Sequence, residues 1–396
     1  MQTIKKLPLK GERVLIRVDY NVPLKDGLVG DDFRIRASLP TIKYCLNKGA
    51  SVVLMSHLGR PKGEIVPEMS LSPVAFALED ILEKEVMFST NCISDDAVEL
   101  SQQMEPNEIH LLENLRFHKG EAENDPGFSW MLSRHANIYI NDAFGISHRT
   151  HASNVGITEH IQNTAVGLLI EKEIKYLCDI MESPPKPTML ILGGSKISDK
   201  IGLIDNMMNK VDFIIIGGAM AFAFLKAQGK NIGAFMVEHE NLKVASNILK
   251  KAEKNQISIV LPEDVVSSVN MSTESPYRVS DLDKLRQDEV GFDIGPQTTL
   301  KFELLLSSAK TIIWNGPLGV FEIPSFSTGT QCIASAVRNR TEEGALSIIG
   351  GGDTALALKN SGIRNGFTHI STGGGASLHL LSGKDLPAFE ALKIHA

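Results

Sequence analysis

The chain has 396 residues, 43% hydrophobic and 22% charged, a globular balance that excludes a disordered or fibrous protein and leaves room for two or three domains. Its formal net charge of -7 argues against a general nucleic-acid binder, which would carry a basic field. The N-terminus MQTIKKLPLK lacks the apolar stretch of a signal peptide, and no run reaches the roughly 18 apolar residues of a membrane span, so a soluble cytoplasmic protein is expected.

Short runs of Val, Ile and Leu alternate with helical patterns along the chain. Strands apolar on both faces, interleaved with helices, predict α/β architecture with mostly parallel sheets. In the first half these runs end in Arg, His, Asp and Asn: RVLIRVDYN (13–21), VVLMSHLGR (52–60), HLLENLR (110–116) and IYINDAFGISHR (138–149). Ligands bind beyond the carboxyl ends of parallel strands, so these endings are candidate site residues. Arg17, Asp19 and Asn21 alternate, as residues of one strand face do. Arg34 is expected in the loop before a helix that SLPTIKYCLNKG places over 38–49. His57 and Arg60, then Arg116, then His148 and Arg149 follow the next three strands. One such arginine alone is most simply a solvated surface residue. Arginines at four successive strand–loop junctions predict a pocket for a small, highly anionic substrate. His57 reads equally well as a structural histidine or a ligand. SPVAFALEDILEKE (72–85) predicts a helix capped by Ser72, with Pro73 in its first turn.

In mid-chain, a charged helical stretch over 167–182 runs into SPPKP and then a fresh strand, which marks an interdomain helix and a linker. In the second half the strands end in glycine: MLILGGSK (189–196), FIIIGGA (213–219), TIIWNGP (311–317), LSIIGGGDT (346–354) and HISTGGGAS (369–377). Such endings let backbone N–H groups approach phosphates. No GxxxxGK[ST] is present, so this is not a P-loop protein. Lys196 and Lys200 are expected on one helical face, reaching a phosphate at the helix N-terminus; a glycine turn with two surface lysines fits as well. Asp353 is either a helix cap or a carboxylate ligand of phosphate-bound Mg²⁺. STGGGAS suits an anion nest, since three glycines are costly without close approach. Glu322 either accepts from a ribose or is simply exposed.

The four cysteines, Cys45, Cys92, Cys178 and Cys332, are scattered without metal-ligand spacing and are expected to be free thiols. No Ser–His–Asp elbow, HExxH or GxGxxG after a first strand appears, which disfavours hydrolase, zinc protease and dehydrogenase readings. A pocket for an anionic substrate facing a phosphate cradle points instead to phosphoryl transfer. A cleft-closing binding protein and an NAD-dependent oxidoreductase are the rival readings.

RVDYNVP, MSHLGRP, LLENLRFH, NDAFGISHRTHAS, GGSKISDK, NGPLGVFE, GGGDT and STGGGASL occur in this order, and with them the chain resembles the phosphoglycerate kinase family over nearly its whole length. Tyr20, GISHRT and GGSKI depart from the commoner Phe, GTAHRA and GGAKV without altering a charged group. The resemblance implies two Rossmann-like domains joined by a hinge helix: 1–166 plus 380–396 holding 3-phosphoglycerate, the helix over 167–182, and 183–379 holding the nucleotide. It implies reversible phosphoryl transfer from 1,3-bisphosphoglycerate to Mg·ADP, giving ATP and 3-phosphoglycerate, with hinge closure. Asp19, Asn21, Arg34, His57, Arg60, Arg116 and Arg149, with His148 nearby, would hold the glycerate substrate. Lys196, Lys200, Gly217, Gly218, Gly295, Asn315, Glu322, Gly351, Gly352, Asp353 and Thr354 would line the nucleotide site, with Asp353 the contact to Mg²⁺. Gly373 and Gly374 would present amides to the moving phosphoryl group, and Arg34 and Lys200 would neutralise its charge. The partners implied are these small molecules, with no nucleic acid or membrane, and the resemblance suggests a monomer.

Overall fold

The structure is a computed structural model in which residues 1–393 are described. The chain divides into two compact units. One comprises Met1–Lys175 and the segment from Asp385 onward; the other is Tyr176–Lys384.

The first unit is built on six strands: β1 (Arg13–Arg17), β2 (Ser51–Met55), β3 (Met87–Ser89), β4 (Ile109–Leu112), β5 (Ile138–Asn141) and β6 (Asn163–Val166). They lie in the order β3-β4-β2-β1-β5-β6, all parallel. Val14 and Ile16, Val52 and Leu54, Ile109 and Leu111, and Ile138 and Ile140 fill one face. That face is covered by Ile35, Ile42 and Cys45 from the helix Phe33–Asn47 and by Val74 and Leu78 from Ser72–Leu82. Successive strands first step to one side of β1 and then return to the other, so the order reverses between β1 and β5. At such a switch point the loops splay and leave a crevice. The C-terminal helix Pro387–Lys393 belongs to this unit; Phe389 packs near Phe144 with ring centroids 6.4 Å apart.

The second unit has a sheet of β7 (Thr188–Leu192), β8 (Phe213–Ile216), β9 (Ser258–Val260), β13 (Thr311–Asn315), β14 (Leu346–Gly350) and β15 (His369–Ile370), and a smaller sheet of β10 (Asp264–Ser268), β11 (Tyr277–Asp281) and β12 (Val290–Ile294). The large sheet is parallel, in the order β9-β8-β7-β13-β14-β15. This is a doubly wound order with its reversal between β7 and β13. Trp314, Ile191, Ile215, Ile312 and Ile349 pack here against Phe302, Leu306, Ile333 and Val337. The antiparallel β11-β10-β12 sheet was not apparent in the sequence, because its Ser- and Asp-rich strands lack a buried apolar run.

Three local expectations need correction. The helix expected from residue 38 begins at Phe33, so Arg34 is helical rather than in a loop. Asp31 Oδ1 accepts from Phe33 N at 2.9 Å, and Pro40, which mimics a helix start, sits inside the helix. Ser72 makes no capping bond; it is the first helical residue, and its N–H donates to Ser70 Oγ at 3.1 Å. The stretch over 167–182 is helical from Leu168 but is π-helical over Lys175–Asp179. The chain passes from the first unit to the second within that π segment, between Lys175 and Tyr176.

A buried polar chain ties the far side of the first unit together. His135 Nε2 lies 3.0 Å from Cys92 O, an acceptor only, so Nε2 carries the proton and Nδ1 accepts from Ser101 Oγ at 2.7 Å. Ser101 in turn accepts from His110 Nδ1 at 2.9 Å, and His110 Nε2 accepts from Ser89 Oγ at 2.7 Å. Burial pushes His110 down to about 3 and His135 down to about 4. Both folded values lie below the unfolded one, so the stabilisation is complete above about pH 6.5 and is lost as pH falls toward these values. Unfolding free energy should fall by up to about 2.7 kcal/mol per pH unit from these two groups. Urea unfolding between about pH 7 and 4.5 checks this, with His110→Gln and His135→Gln together expected to flatten the slope.

Candidate active site

The strand ends of the first unit converge on His57. Arg34 Nη1 is 3.1 Å from both carboxylate oxygens of Asp19 and donates to Asn21 O at 3.2 Å. Asn21 Oδ1 accepts from Gly59 N at 2.9 Å, while Arg116 Nη1 donates to Gly59 O at 2.7 Å. The loop after β2 is thus held from both sides by residues following β1 and β4. Asn114 fixes it further, donating to Leu58 O at 2.7 Å and accepting from Leu58 N at 3.2 Å and Arg116 N at 3.0 Å. Arg60 and Arg149 are exposed, and His148 is half-buried beside Arg149 on the loop after β5.

The electrostatics suit this pocket to an anion. His57 is only 2% exposed. Burial and the charges of Arg17, Arg116 and Arg34 hold its imidazole well below the ordinary range, so it is neutral. Arg116 is lowered to about 10 by burial and by the positive charge of Arg17, with Arg149 adding to the effect. Cations that depress one another's proton affinity are short of counter-charge, and an incoming anion supplies it. Arg17 does not share the substrate face. It is fully buried and paired with Glu121.

In the second unit the glycines bring backbone against backbone at the strand-order reversal. Gly193 N donates to Asn315 O at 3.0 Å and Gly194 N to Pro317 O at 2.8 Å. A Cβ on Gly193 would overlap Pro317 O, and at Gly218, with φ +64°, it would lie 2.7 Å from Gly194 N. Only glycine permits that approach. The helices Gly352–Asn360 and Gly374–Leu381 start side by side: a Cβ on Gly374 would be 3.0 Å from Gly352 N. First-turn amides have no partner within their own helices, so the paired starts make a cradle chemically suited to phosphate.

Lys200 stands beside this cradle. Its Nζ donates in a short contact to Asn315 Oδ1, and Asn315 is buried at the end of β13. Burial pulls the ammonium down, while Asp199 and Asp353 pull it back up. Lys196 and Lys200 do not share a helical face as expected. Gly194 at φ +87° turns the chain out, Lys196 stays in the loop, and Lys200 ends a short 3-10 turn before the helix Ile201–Met207. Asp353 is exposed and caps nothing. Thr354 is buried, its hydroxyl accepting from Gly316 N at 2.7 Å and donating to Gly350 O at 2.8 Å, so it braces the glycine turn. Gly373 N donates to Ser371 Oγ at 3.2 Å. Gly217 leaves room for Leu318, and Gly295 for the Asp264 carboxylate, which accepts from Gln297 N and Thr298 N at the next helix start. Glu322 is exposed on the loop after β13.

Sequence reasoning passed over Asn114, Glu121 and Ser153, whose partners are distant in the chain. It also missed Asp293, whose buried carboxyl is pushed up to about 7 by burial and accepts from Gly329 N at 2.7 Å. Only Asn114, inside LLENLRFH, had a local signal. Among the described residues Cys45, Cys92 and Cys332 are free thiols. No cluster of three or more metal-ligating side chains occurs among them, and no helix is long and apolar enough to cross a membrane.

A guanidinium-rich pocket on one doubly wound unit and a glycine-lined cradle suited to phosphate on another fit a two-domain α/β phosphotransferase. The family model for phosphoglycerate kinase matches residues 4–384. The chain is 46% identical over 391 residues to the phosphoglycerate kinase of Chloroherpeton thalassium, covering 99% of this chain and 98% of that one. It is 48% identical over 393 residues to that of Finegoldia magna, with the same coverage of each. The solved phosphoglycerate kinase of Coxiella burnetii superposes with a TM-score of 0.86 at 39% identity, covering 99% of this chain and 98% of that one. The chain belongs to the phosphoglycerate kinase family, the glycolytic phosphotransferases.

Proposed function

We propose that the first unit binds 3-phosphoglycerate or 1,3-bisphosphoglycerate and the second binds ADP or ATP. The family reaction, phosphoryl transfer from 1,3-bisphosphoglycerate to ADP, then runs on this chain's own residues. The observation that carries this reading is the paired start of Gly352–Asn360 and Gly374–Leu381 beside Lys200, a cradle for phosphate. Arg34, Arg60, Arg116, His148 and Arg149, with Nε2–H of His57, bind the carboxylate and phosphate of the glycerate; Asp19 and Asn21 orient Arg34 and the loop after β2. Lys196, Glu322 and the glycines at 217, 218, 295, 351 and 352 shape the nucleotide side. Asn315 aims Lys200, and Thr354 braces the turn.

The acceptor is a carboxylate, already ionised at neutral pH, so no general base is required. Catalysis then consists of positioning and neutralising charge. Arg34 and Lys200 neutralise the moving phosphoryl group, and its oxygens accept from the amide of Gly374 and from that of Gly373 once it leaves Ser371 Oγ. Asp353, an exposed carboxylate near Lys200, suits a hard cation that takes most of its oxygens from phosphate and water, and it would hold Mg²⁺ arriving with the nucleotide. The bound ion supplies further neutralisation of phosphate charge. The chain acts as a cytoplasmic monomer, in line with its family resemblance.

Arg34 and Lys200 belong to different units, and the hinge closure implied by the family resemblance would bring both to the phosphoryl group, exclude water and limit ATP hydrolysis. Small-angle scattering tests both parts of the proposal. The radius of gyration is expected to fall only with both ligands bound. In Arg149→Ala, 3-phosphoglycerate no longer produces the fall although calorimetry still registers ADP. No compaction in the wild type would remove closure, and lost ADP binding in Arg149→Ala would remove the division of ligands.

A further inference from the structure

Beneath the candidate substrate site lies a fully buried group that the reaction itself does not touch. Arg17, Glu121 and Ser153 have no exposed surface. Arg17 Nε donates to Ser153 Oγ at 2.8 Å, and its Nη1 donates to Val18 O in a short contact. Ser153 donates from Oγ to Glu121 Oε1 at 2.7 Å and from its backbone N to Oε2 at 2.9 Å. Arg17 Nη2 is 3.7 Å from Glu121 Oε1, and His151 Nδ1 is 3.6 Å from the same oxygen. Burial works against ionisation of Glu121, but His151, Arg17 and Ser153 together hold its carboxyl below the ordinary range. The pair is therefore ionic.

Arg17 Nη2 also lies 3.2 Å from His57 Nδ1. A guanidinium has donors only, so Nδ1 must accept and the ring proton must sit on Nε2. The backbone of Glu121 reaches the other arm of the site as well: its carbonyl accepts from Ala152 N at 3.0 Å, three residues beyond Arg149. A buried ion pair adds little net stability over an apolar replacement, but this one aims groups on both sides of the pocket.

We propose that Glu121 is a positioning residue for the substrate site: through Arg17 it fixes His57 as the Nε2–H tautomer that donates to the bound anion. This rests on the assignment of His57 to the 3-phosphoglycerate site. Glu121→Gln keeps the shape and removes the charge, so Arg17 loses its counter-charge and its aim.

The test is long-range proton–nitrogen NMR of the His57 ring in the full chain, with steady-state kinetics alongside. The wild-type ring is expected to show the neutral Nε2–H pattern alone from about pH 6 to 8. Glu121→Gln is expected to show both tautomers, with KM for 3-phosphoglycerate raised about tenfold and kcat and the nucleotide KM changed less than about threefold. Glu121→Asp restores the charge and recovers part of the loss. If the Gln variant does not fold, the wild-type ring still decides: an Nδ1–H pattern overturns the proposal. A folded Gln variant with an unchanged ring and unchanged KM overturns it too. A wild-type ring with the expected tautomer that 3-phosphoglycerate leaves unshifted overturns the site assignment, and the proposed role with it.

Discussion

Lys200→Ala is expected to lower kcat by about 10²–10³-fold while leaving 3-phosphoglycerate affinity within about twofold. A preorganised charge aimed at a developing anion in a site shielded from water is worth about 3–4 kcal/mol in the transition state. Lys200 approaches those properties: it is half-buried, held by Asn315, and kept charged against burial by Asp199 and Asp353. Single-turnover kinetics with calorimetry of 3-phosphoglycerate checks the split, and a near-normal kcat would remove Lys200 from the chemistry. The substitution also leaves the buried Asn315 Oδ1 without its donor, at a cost of about 1–3 kcal/mol in stability. A thermal melt separates that loss from the catalytic one. Arg is a poor replacement, because its planar fork does not fit where a compact ammonium points.

Arg34→Ala is expected to reduce kcat at least as far and to raise KM for 3-phosphoglycerate as well. The reason is local. Arg34 Nη1 spans both oxygens of Asp19 and reaches Asn21 O, so its loss removes one positive charge and leaves Asp19 facing an anionic substrate. Like charges in a partly desolvated pocket repel more strongly than in water. Asp19→Asn introduced into Arg34→Ala should therefore restore part of the affinity without restoring kcat. Steady-state kinetics of the double variant checks this, and an unchanged KM in the double variant would show that Asp19 is not what repels the substrate.

Where the fold was legible, the signal was local. Runs such as SVVLM and TMLIL are buried along their whole length because helices cover both faces of a parallel sheet, and apolar continuity reports that directly. The glycine endings were legible for a similar reason: Gly193 and Gly218 sit where any side chain would meet backbone. Arg34 was misplaced because Pro40 imitates a helix start while lying inside the helix. Arg17 was read with Asp19 and Asn21 as one strand-end group, yet it turns inward to Glu121. Nothing near Glu121 in HKGEAEN distinguishes it from the exposed Glu123 two residues on, since what buries it is a contact to residues more than thirty positions away. Burial of charge is decided by long-range pairing, and single-sequence patterns do not record it.

The most direct measurement is coupled-enzyme turnover of Mg·ATP with 3-phosphoglycerate for the wild type, Arg34→Ala and Lys200→Ala. Rapid wild-type turnover, lost by at least about 100-fold in each variant with both still folded, is the predicted result. A wild type that binds 3-phosphoglycerate without turning it over, or variants that keep near-normal rates, would contradict transfer by charge neutralisation from these two residues.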